Sequence, residues 1–472
     1  MDTTEHGGAR RRDQSLDRSE PHAPIGHREA IGHDDRPRQS ERSERSERSE
    51  PHAPSFYADS ALRQPARPPL RGLTEADVVV IGAGYTGLSS ALHLAEAGLR
   101  VVVLEAHRVG WGASGRNGGQ LVHSYSRDLD VIEARHGATT AKALGEMAFE
   151  GAAIIKQRIR QYNIDCHFQP GGMFAALNGR QVEGLERHQA LWERYGHREL
   201  ELLDASRTEA ATGSRRYAAA LLDRSSGHVH PLRLAQGQAL ALESLGGVIH
   251  EDSPVVRIER GDPARVVTAQ GVVRARFVIV AGNAYLGNLE PQLAARSMPC
   301  GTQVIATEPL GARWAEILPD KLCVEDCNFL LDYFRLSADR RLLYGGGVIY
   351  GARDPAHIES IVRPKLAKTF PQLRDVRIDY AWTGNFLLTL SRLPEVGRLA
   401  PNIYYSQGCS GHGVTFTHLI GRVLAEAIQG QATRFDAFAD LPHYPFPGGR
   451  LLRVPLTALG AFWYDLRDRL GR

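Results

Sequence analysis

The chain has 472 residues, 42% apolar and 24% charged, enough for a large core in two domains or one two-part unit. A formal net charge of +3 over that length excludes a nucleic-acid grip built on bulk charge, and no uncharged apolar run reaches the ~18 residues of a membrane span. Five scattered cysteines, of which only Cys323 and Cys327 are close, fit neither a disulfide framework nor a zinc site, so no metal is expected.

Residues 1–54 are rich in Arg, Glu, Ser, His and Pro, and the heptapeptide Arg-Ser-Glu-Pro-His-Ala-Pro occurs at both 18–24 and 48–54. Such a stretch buries too little apolar area to offset its ordering entropy, which predicts a disordered extension. Its interleaved glutamates argue against nucleic acid as a partner. It lacks the apolar core of a signal peptide, so a cytoplasmic location is expected. Order is predicted to begin after Pro68-Pro69.

Asp77 to Ile81 reads as a buried parallel strand. Leu88, Ala91, Leu92 and Ala95 follow at helical spacing, Gly98 closes the helix, and Val101 to Leu104 forms a second strand ending at Glu105. Between strand and helix stands Gly82-Ala83-Gly84-Tyr85-Thr86-Gly87. In this G-x-G-x-x-G the first glycine makes the tight turn, the second admits a pyrophosphate, and the third lets the helix pack on the strand. Glu105 stands where an acid accepts ribose hydroxyls. Together these predict a dinucleotide site.

Residues 112–120 then form a loop of small residues containing Ser114, Arg116, Asn117, Gly118, Gly119 and Gln120, suited to backbone running against a second part of the cofactor, such as a flavin ring. Residues 152–160 and 183–195 are predicted helices. Val272 to Val280 is a predicted strand ending at Ala281-Gly282, and 342–344 with 348–349 reads as another. Near the end, residues 408–414 open a helix predicted from Thr415, with Gly411, His412, Gly413 and Val414 at its start. A helix N-terminus aimed at a flavin pyrimidine would stabilise the charge that reduction places there. His412 reads there as a spacer, a flavin contact or a proton carrier.

These loops resemble the D-amino-acid oxidase and sarcosine oxidase superfamily of flavoproteins, and within it the bacterial γ-glutamylputrescine oxidases. Stretches 121–128, 296–303, 324–328, 382–389 and 441–450 carry the finer likeness, which runs from about Ser55 to the C-terminus. The resemblance implies an α/β fold with a glutathione-reductase-type FAD domain assembled from 76–130, 226–290 and 395–435. An antiparallel-sheet substrate domain would come from 131–225 and 291–394, with 436–472 as a C-terminal segment. It implies that Val256 and Gly282 join the glycines in holding FAD, and that His412 is the catalytic candidate. It also implies oxidation of a small amine with O₂ as acceptor. The chain departs from the sarcosine oxidases in two places. No Cys stands at 381–384, so FAD is expected to be non-covalent, and no Lys stands at 342–344 to activate oxygen. Related oxidation of a secondary amine or cyclic imino acid, a flavin subunit without turnover, and an RNA-associated protein acting through the N-terminal tail are the alternatives.

A primary alkylamine has a pKa of ~10.4, and hydride loss needs its nitrogen lone pair, so an apolar pocket that favours the neutral amine is expected. Tyr333, Phe334, Trp382 and Phe386 are the candidate walls. Arg335 is the candidate for a distal glutamyl carboxylate.

Overall fold

The computed structural model describes residues 50–351 and 355–469. Its strands, among the described residues, are β1 Gly72–Ile81, β2 Val101–Leu104, β3 Gln169–Ala176, β4 Leu200–Leu203, β5 Ala219–His228, β6 Val248–His250, β7 Val255–Glu259 and β8 Ala264–Thr268. They continue as β9 Gly271–Val280, β10 Ser297–Pro309, β11 Cys323–Asp326, β12 Asp332–Leu336, β13 Arg341–Tyr350, β14 Ile378–Thr389, β15 Glu395–Ala400 and β16 Ile403–Gln407. Two sheets result. The first runs β15-β16-β9-β1-β2-β6, with the β7–β8 hairpin added along β9, and the second runs β14-β10-β13-β12-β11-β3-β5-β4.

In the first sheet β1 lies parallel to both β2 and β9, in register Val78↔Val101 and Val78↔Phe277. Both faces are covered, which explains the unbroken run of branched residues. Val78, Val80, Val101 and Val103 pack with the helices Tyr85–Glu96, Pro231–Ser244 and Gly413–Ile428. Val79, Ile81, Val102 and Leu104 face the other way, into a core shared with Val266, Val273 and Ile403.

The second sheet is antiparallel except where β11 runs parallel to β3. Strand alternation splits β12. Phe334 and Leu336 enter a core with Val324, Leu342 and Tyr344, beneath Val362 and Leu366 of the helix Ile358–Thr369. Tyr333 and Arg335 point to the opposite face, toward the glycine loop at 112–120.

The first sheet draws on stretches 72–104, 248–280 and 395–407, the second on 169–228 and 297–389. The expected helices span Glu150–Gln161 and Gly179–Arg194, and the late helix starts two residues early, at Gly413. The C-terminal tail forms a helix, Gly449–Arg469.

Order also begins well before Pro69. Residues 1–49 of the expected disordered extension lie outside the described residues. Residues 50–54 have no regular structure, and the Pro51 carbonyl accepts the Trp111 indole N–H at 2.9 Å. Ser55 then caps a one-turn helix, Phe56–Asp59, accepting the Ala58 N–H at 3.2 Å. Tyr57 is fully buried, edge-on to Trp382 with ring centroids 5.1 Å apart. Two adjacent aromatics overrode the polar composition around them. Tyr57→Ala is expected to cost ~3–5 kcal/mol, measured as a fall in the urea midpoint with an unchanged slope.

Candidate functional site: a flavin-sized cavity between the two sheets

A continuous cavity of about 570 Å³ runs from the Gly82 turn to β11, β12 and β14. At its first end the backbone of Gly82 has φ +105°, a conformation that favours glycine. Glu105, at the end of β2, reaches back so that Oε2 accepts the Ala83 N–H at 2.7 Å and Oε1 the His107 N–H at 3.0 Å. Burial pushes this carboxyl above its usual range, and those bonds oppose the shift. From the small-residue loop, Ser114 Oγ accepts the Tyr85 N–H at 2.9 Å. Asn117 braces the loop itself, accepting the Gly119 N–H at 2.8 Å and donating to the Ala113 and Ser114 carbonyls at 3.0 Å.

The helices Tyr85–Glu96 and Gly413–Ile428 both start at this cavity, and neither N-cap, Gly84 nor His412, makes a side-chain capping bond. Apart from the Tyr85 N–H, which Ser114 takes, first-turn N–H groups are therefore left for an anionic or partly negative ligand. His412 Nδ1 is buried with no partner among the described residues. A pyrophosphate at the first helix, ribose hydroxyls at Glu105 and a flavin edge at the second helix match these donors and acceptors. The residues fit FAD.

Most predicted site residues meet on this surface: Gly82, Gly84, Glu105, Ser114, Asn117, Gly118, Gly119, Gln120, Gly282, Gly411, His412, Gly413, Val414, Tyr333 and Phe386 all line it. Six do not. A Cβ on Gly87 would overlap the Gly82 carbonyl, so this glycine serves helix packing away from the ligand. Arg116 turns back to donate to the Trp111 carbonyl at 2.8 Å, its guanidinium 4.3 Å from the Trp111 ring centroid. Val256 is 55% exposed, and its neighbour Val255 takes the lining place, because alternate strand residues face opposite ways. Phe334 lies in the core beneath the sheet. Trp382 is buried and donates its indole N–H to the Arg116 carbonyl at 3.0 Å, a prop for the loop.

Arg335 is the most consequential correction. It shares the face of Tyr333 but is buried, with Nε donating to the Gly118 carbonyl at 2.6 Å and Nη2 to the Tyr57 hydroxyl at 2.9 Å. The guanidinium fastens the loop and does not line the cavity.

Burial lowers the pKa of His412 to about 4, which holds its imidazole neutral at neutral pH.

Beyond the loop the lining turns to Thr302, Glu325, Phe329, Leu331, Asn385, Phe386 and Arg392, of which only Phe386 was foreseen. The Tyr333 ring lies against Gly118 and Gly345, where an added Cβ would collide with it, and its hydroxyl is 3.3 Å from Thr302 Oγ1. Glu325 pairs with Tyr333 across the strands, which sets both side chains on the cavity face. Finding Glu325 from sequence needed that register. Its stretch, 324–328, was noticed only as a likeness. The Arg392 guanidinium lies 5.3 Å from the Phe329 ring centroid.

Elsewhere, His123, His197 and Asp223 bring ligand atoms within 4.8 Å of one another. This group closes on itself: Asp223 Oδ1 accepts the Ser225 hydroxyl at 2.8 Å, and that hydroxyl also meets His123 Nε2 at 2.9 Å.

A dinucleotide turn, an acid at the end of β2 and a second helix N-terminus on one cavity define a flavin-dependent oxidoreductase. The chain belongs to the FAD dependent oxidoreductase family, whose model matches residues 77–427. It is 62% identical over 422 residues to the gamma-glutamylputrescine oxidoreductase of Escherichia coli K12, covering 89% of this chain and 99% of that protein. A probable oxidoreductase, OrdL, of Haemophilus influenzae is 39% identical over 425 residues, 89% of this chain and 98% of its own. Among solved structures, glycine oxidase from Geobacillus kaustophilus superposes with a TM-score of 0.66 at 21% identity, covering 78% of this chain and 99% of that one. L-proline dehydrogenase from P. horikoshii gives 0.64 at 20%, covering 76% and 94%. These structures share the fold. No helix among the described residues is long and apolar enough to cross a membrane.

Glu105→Gln tests the cofactor half. An amide has one oxygen for two backbone donors, so its NH₂ must face an N–H. FAD affinity should fall by ~1–3 kcal/mol, about tenfold to a hundredfold, read by titrating FAD into the flavin-free protein.

Proposed function

We propose that this protein oxidises the terminal primary amine of γ-glutamylputrescine, giving γ-glutamyl-aminobutyraldehyde and ammonia. The observation that carries the reading is the 62% identity, over nearly the whole of both chains, to a protein named for that substrate. The cavity supports it. Its substrate half is walled by Phe329, Leu331, Tyr333 and Phe386 and carries the acid Glu325 and the cation Arg392.

Bound FAD supplies the hydride acceptor, and the protein supplies orientation and electrostatics. Gly82, Gly84 and Glu105 would hold the adenine-dinucleotide portion, and residues 117–120 with 411–414 the flavin. The cofactor is held without a covalent bond. Among the described residues the only thiol on the cavity is Cys409, and burial raises its pKa, which leaves it protonated and a weak nucleophile. Acid precipitation should therefore release all the yellow colour.

The aromatic walls desolvate the substrate's ammonium and favour the neutral amine. Arg392, stacked on Phe329 and paired with no carboxylate among the described residues, takes the glutamyl carboxylate in place of the buried Arg335. Water hydrolyses the imine after oxidation. Bound FAD would pass its electrons on to O₂, and among the described residues no Lys lines the cavity to speed that transfer. The reaction belongs in the cytoplasm, where the five free thiols stay reduced.

The test is anaerobic bleaching of the flavin by γ-glutamylputrescine, putrescine, pipecolate and sarcosine. γ-Glutamylputrescine should act with the highest kcat/KM. Bleaching by pipecolate or sarcosine alone would replace the reading with imino-acid or secondary-amine oxidation. In Arg392→Met the KM for γ-glutamylputrescine should rise about tenfold or more, with putrescine little affected.

A further inference from the structure

Among the described residues, Glu325 is the one carboxyl in the substrate half of the cavity. It sits on β11 opposite Tyr333 of β12, while β3 on its other side presents Phe174 at the same level. Among the described residues no donor hydrogen-bonds to its carboxyl and no cation pairs with it; the only charge acting on it is that of Asp326. Asp326 has its own partners, Arg216 at 3.8 Å and the N–H groups of Asn328 and Asp332. A carboxylate enclosed by aromatic rings without a counter-charge is costly to ionise. Here its missing partner has a place to arrive, because the carboxyl faces the cavity.

We propose that Glu325 receives the substrate's ammonium ion and takes one proton from it, so that the amine enters the reaction neutral. This rests on the amine-oxidase reading above. One N–H bond of R–CH₂–NH₃⁺ breaks and one O–H bond forms on Glu325. The nitrogen keeps the electron pair, which then becomes available to form the C=N bond as hydride leaves the carbon for FAD. Glu325 returns the proton to water after the product departs.

In bulk water this transfer is uphill, since an alkylammonium has a pKa of ~10.4 and a glutamic acid ~4.3. Inside the cavity both shifts oppose that gap. Desolvation raises the acid and lowers the amine, and it favours the neutral pair over the ion pair. Glu325 is already pushed up to about 7 by burial, with Asp326 adding to the effect.

Other groups face the same space or titrate nearby. Cys323 and Cys327 flank Glu325, and burial raises both thiols to about 12. Tyr333 is raised further from neutrality by burial. Arg127, Arg392 and His412 line the cavity beyond. Asp326, raised to about 6, and Glu395, raised to about 7, titrate in the range of Glu325. The parent's pH profile alone therefore does not assign a break, and the variants must.

The experiment uses the FAD-loaded full chain as parent, Glu325→Gln and Glu325→Asp, with anaerobic flavin bleaching by γ-glutamylputrescine from pH 6 to 10.5. In the parent, kcat/KM should rise through a break near pH 7 and level off. Glu325→Gln has no proton acceptor and depends on amine already neutral in solution. Its kcat/KM should rise about tenfold per pH unit toward the amine's own pKa of ~10.4. The deficit against the parent should be about 10²–10³ at pH 7.5 and nearly vanish at pH 10. In Glu325→Asp the break should persist, displaced from the parent's position.

Two readouts need no turnover. FAD content should match the parent's. The substrate-free melting temperature of Glu325→Gln at pH 8 should equal or exceed the parent's. The sign follows from linkage: a carboxyl raised on folding costs stability as pH climbs from its unfolded pKa to its folded one, and the amide removes that cost. A Glu325→Gln profile parallel to the parent's, or a lower melting temperature with lost FAD, would overturn the proposal. So would a break that stays at the parent's pH in Glu325→Asp, which also decides the matter if the amide variant does not fold. A parent bleached by γ-glutamylputrescine but showing no break near 7 refutes Glu325 alone. A parent bleached by no primary amine refutes the proposed function instead.

Discussion

One buried guanidinium joins the two halves of this molecule. Arg335 leaves β12 of the second sheet and donates to the Gly118 carbonyl in the loop that follows β2, to the Tyr57 hydroxyl, and to the Leu336 carbonyl at 3.3 Å. At 4% exposure the charge is tolerable only while those acceptors stay in place. Gly119 is confined by the same contact, since a Cβ there would sit 2.9 Å from Arg335 Nη2 and overlap the Val229 carbonyl. The glycine loop, the one-turn helix near the start of the described chain and the substrate sheet are thereby positioned together. The cavity is the space they leave.

Within that space the labour divides along the chain's own periodicities. The first sheet delivers loop backbone and two uncapped helix ends, which are chemically uniform and suit a cofactor recognised through phosphates, ribose and ring edges. The second sheet delivers alternate side chains, which are chemically diverse and suit a substrate. Val324 and Phe334 fill the core under that sheet, while Glu325 and Tyr333, one residue away in each strand, face the cavity. A structural role and a chemical one thus sit side by side in both strands.

This division explains what could be read from the sequence. The Gly82 turn, Glu105 and the loops at 117–120 and 411–414 act through local backbone geometry, so a short motif carries the information and these residues do line the cavity. The strands β1, β2 and β9 were legible because each carries an unbroken apolar run, at 78–81, 101–104 and 277–280. The substrate half was mostly illegible. Whether Arg335 or Arg392 faces a ligand depends on what covers each, and the cover over Arg335 is Tyr57, some 278 positions away. Val256 failed by a single residue, which in a strand is the difference between the two faces. Tyr57 was missed because the composition around it is polar, although two adjacent aromatics suffice to fold a turn onto the core.

The Tyr333 ring lies against two residues that have no side chain to offer. Its ring rests in the clearance left by Gly118 and Gly345, and a methyl group at either position would have to displace it. The calibre of the substrate passage is therefore set by two hydrogens in place of two methyls, on strand β13 and on a loop. Such a dimension can change without altering any cavity-wall side chain. A single methyl at residue 345 would swing the ring off its seat. Substrate girth in this fold is adjustable from behind the wall.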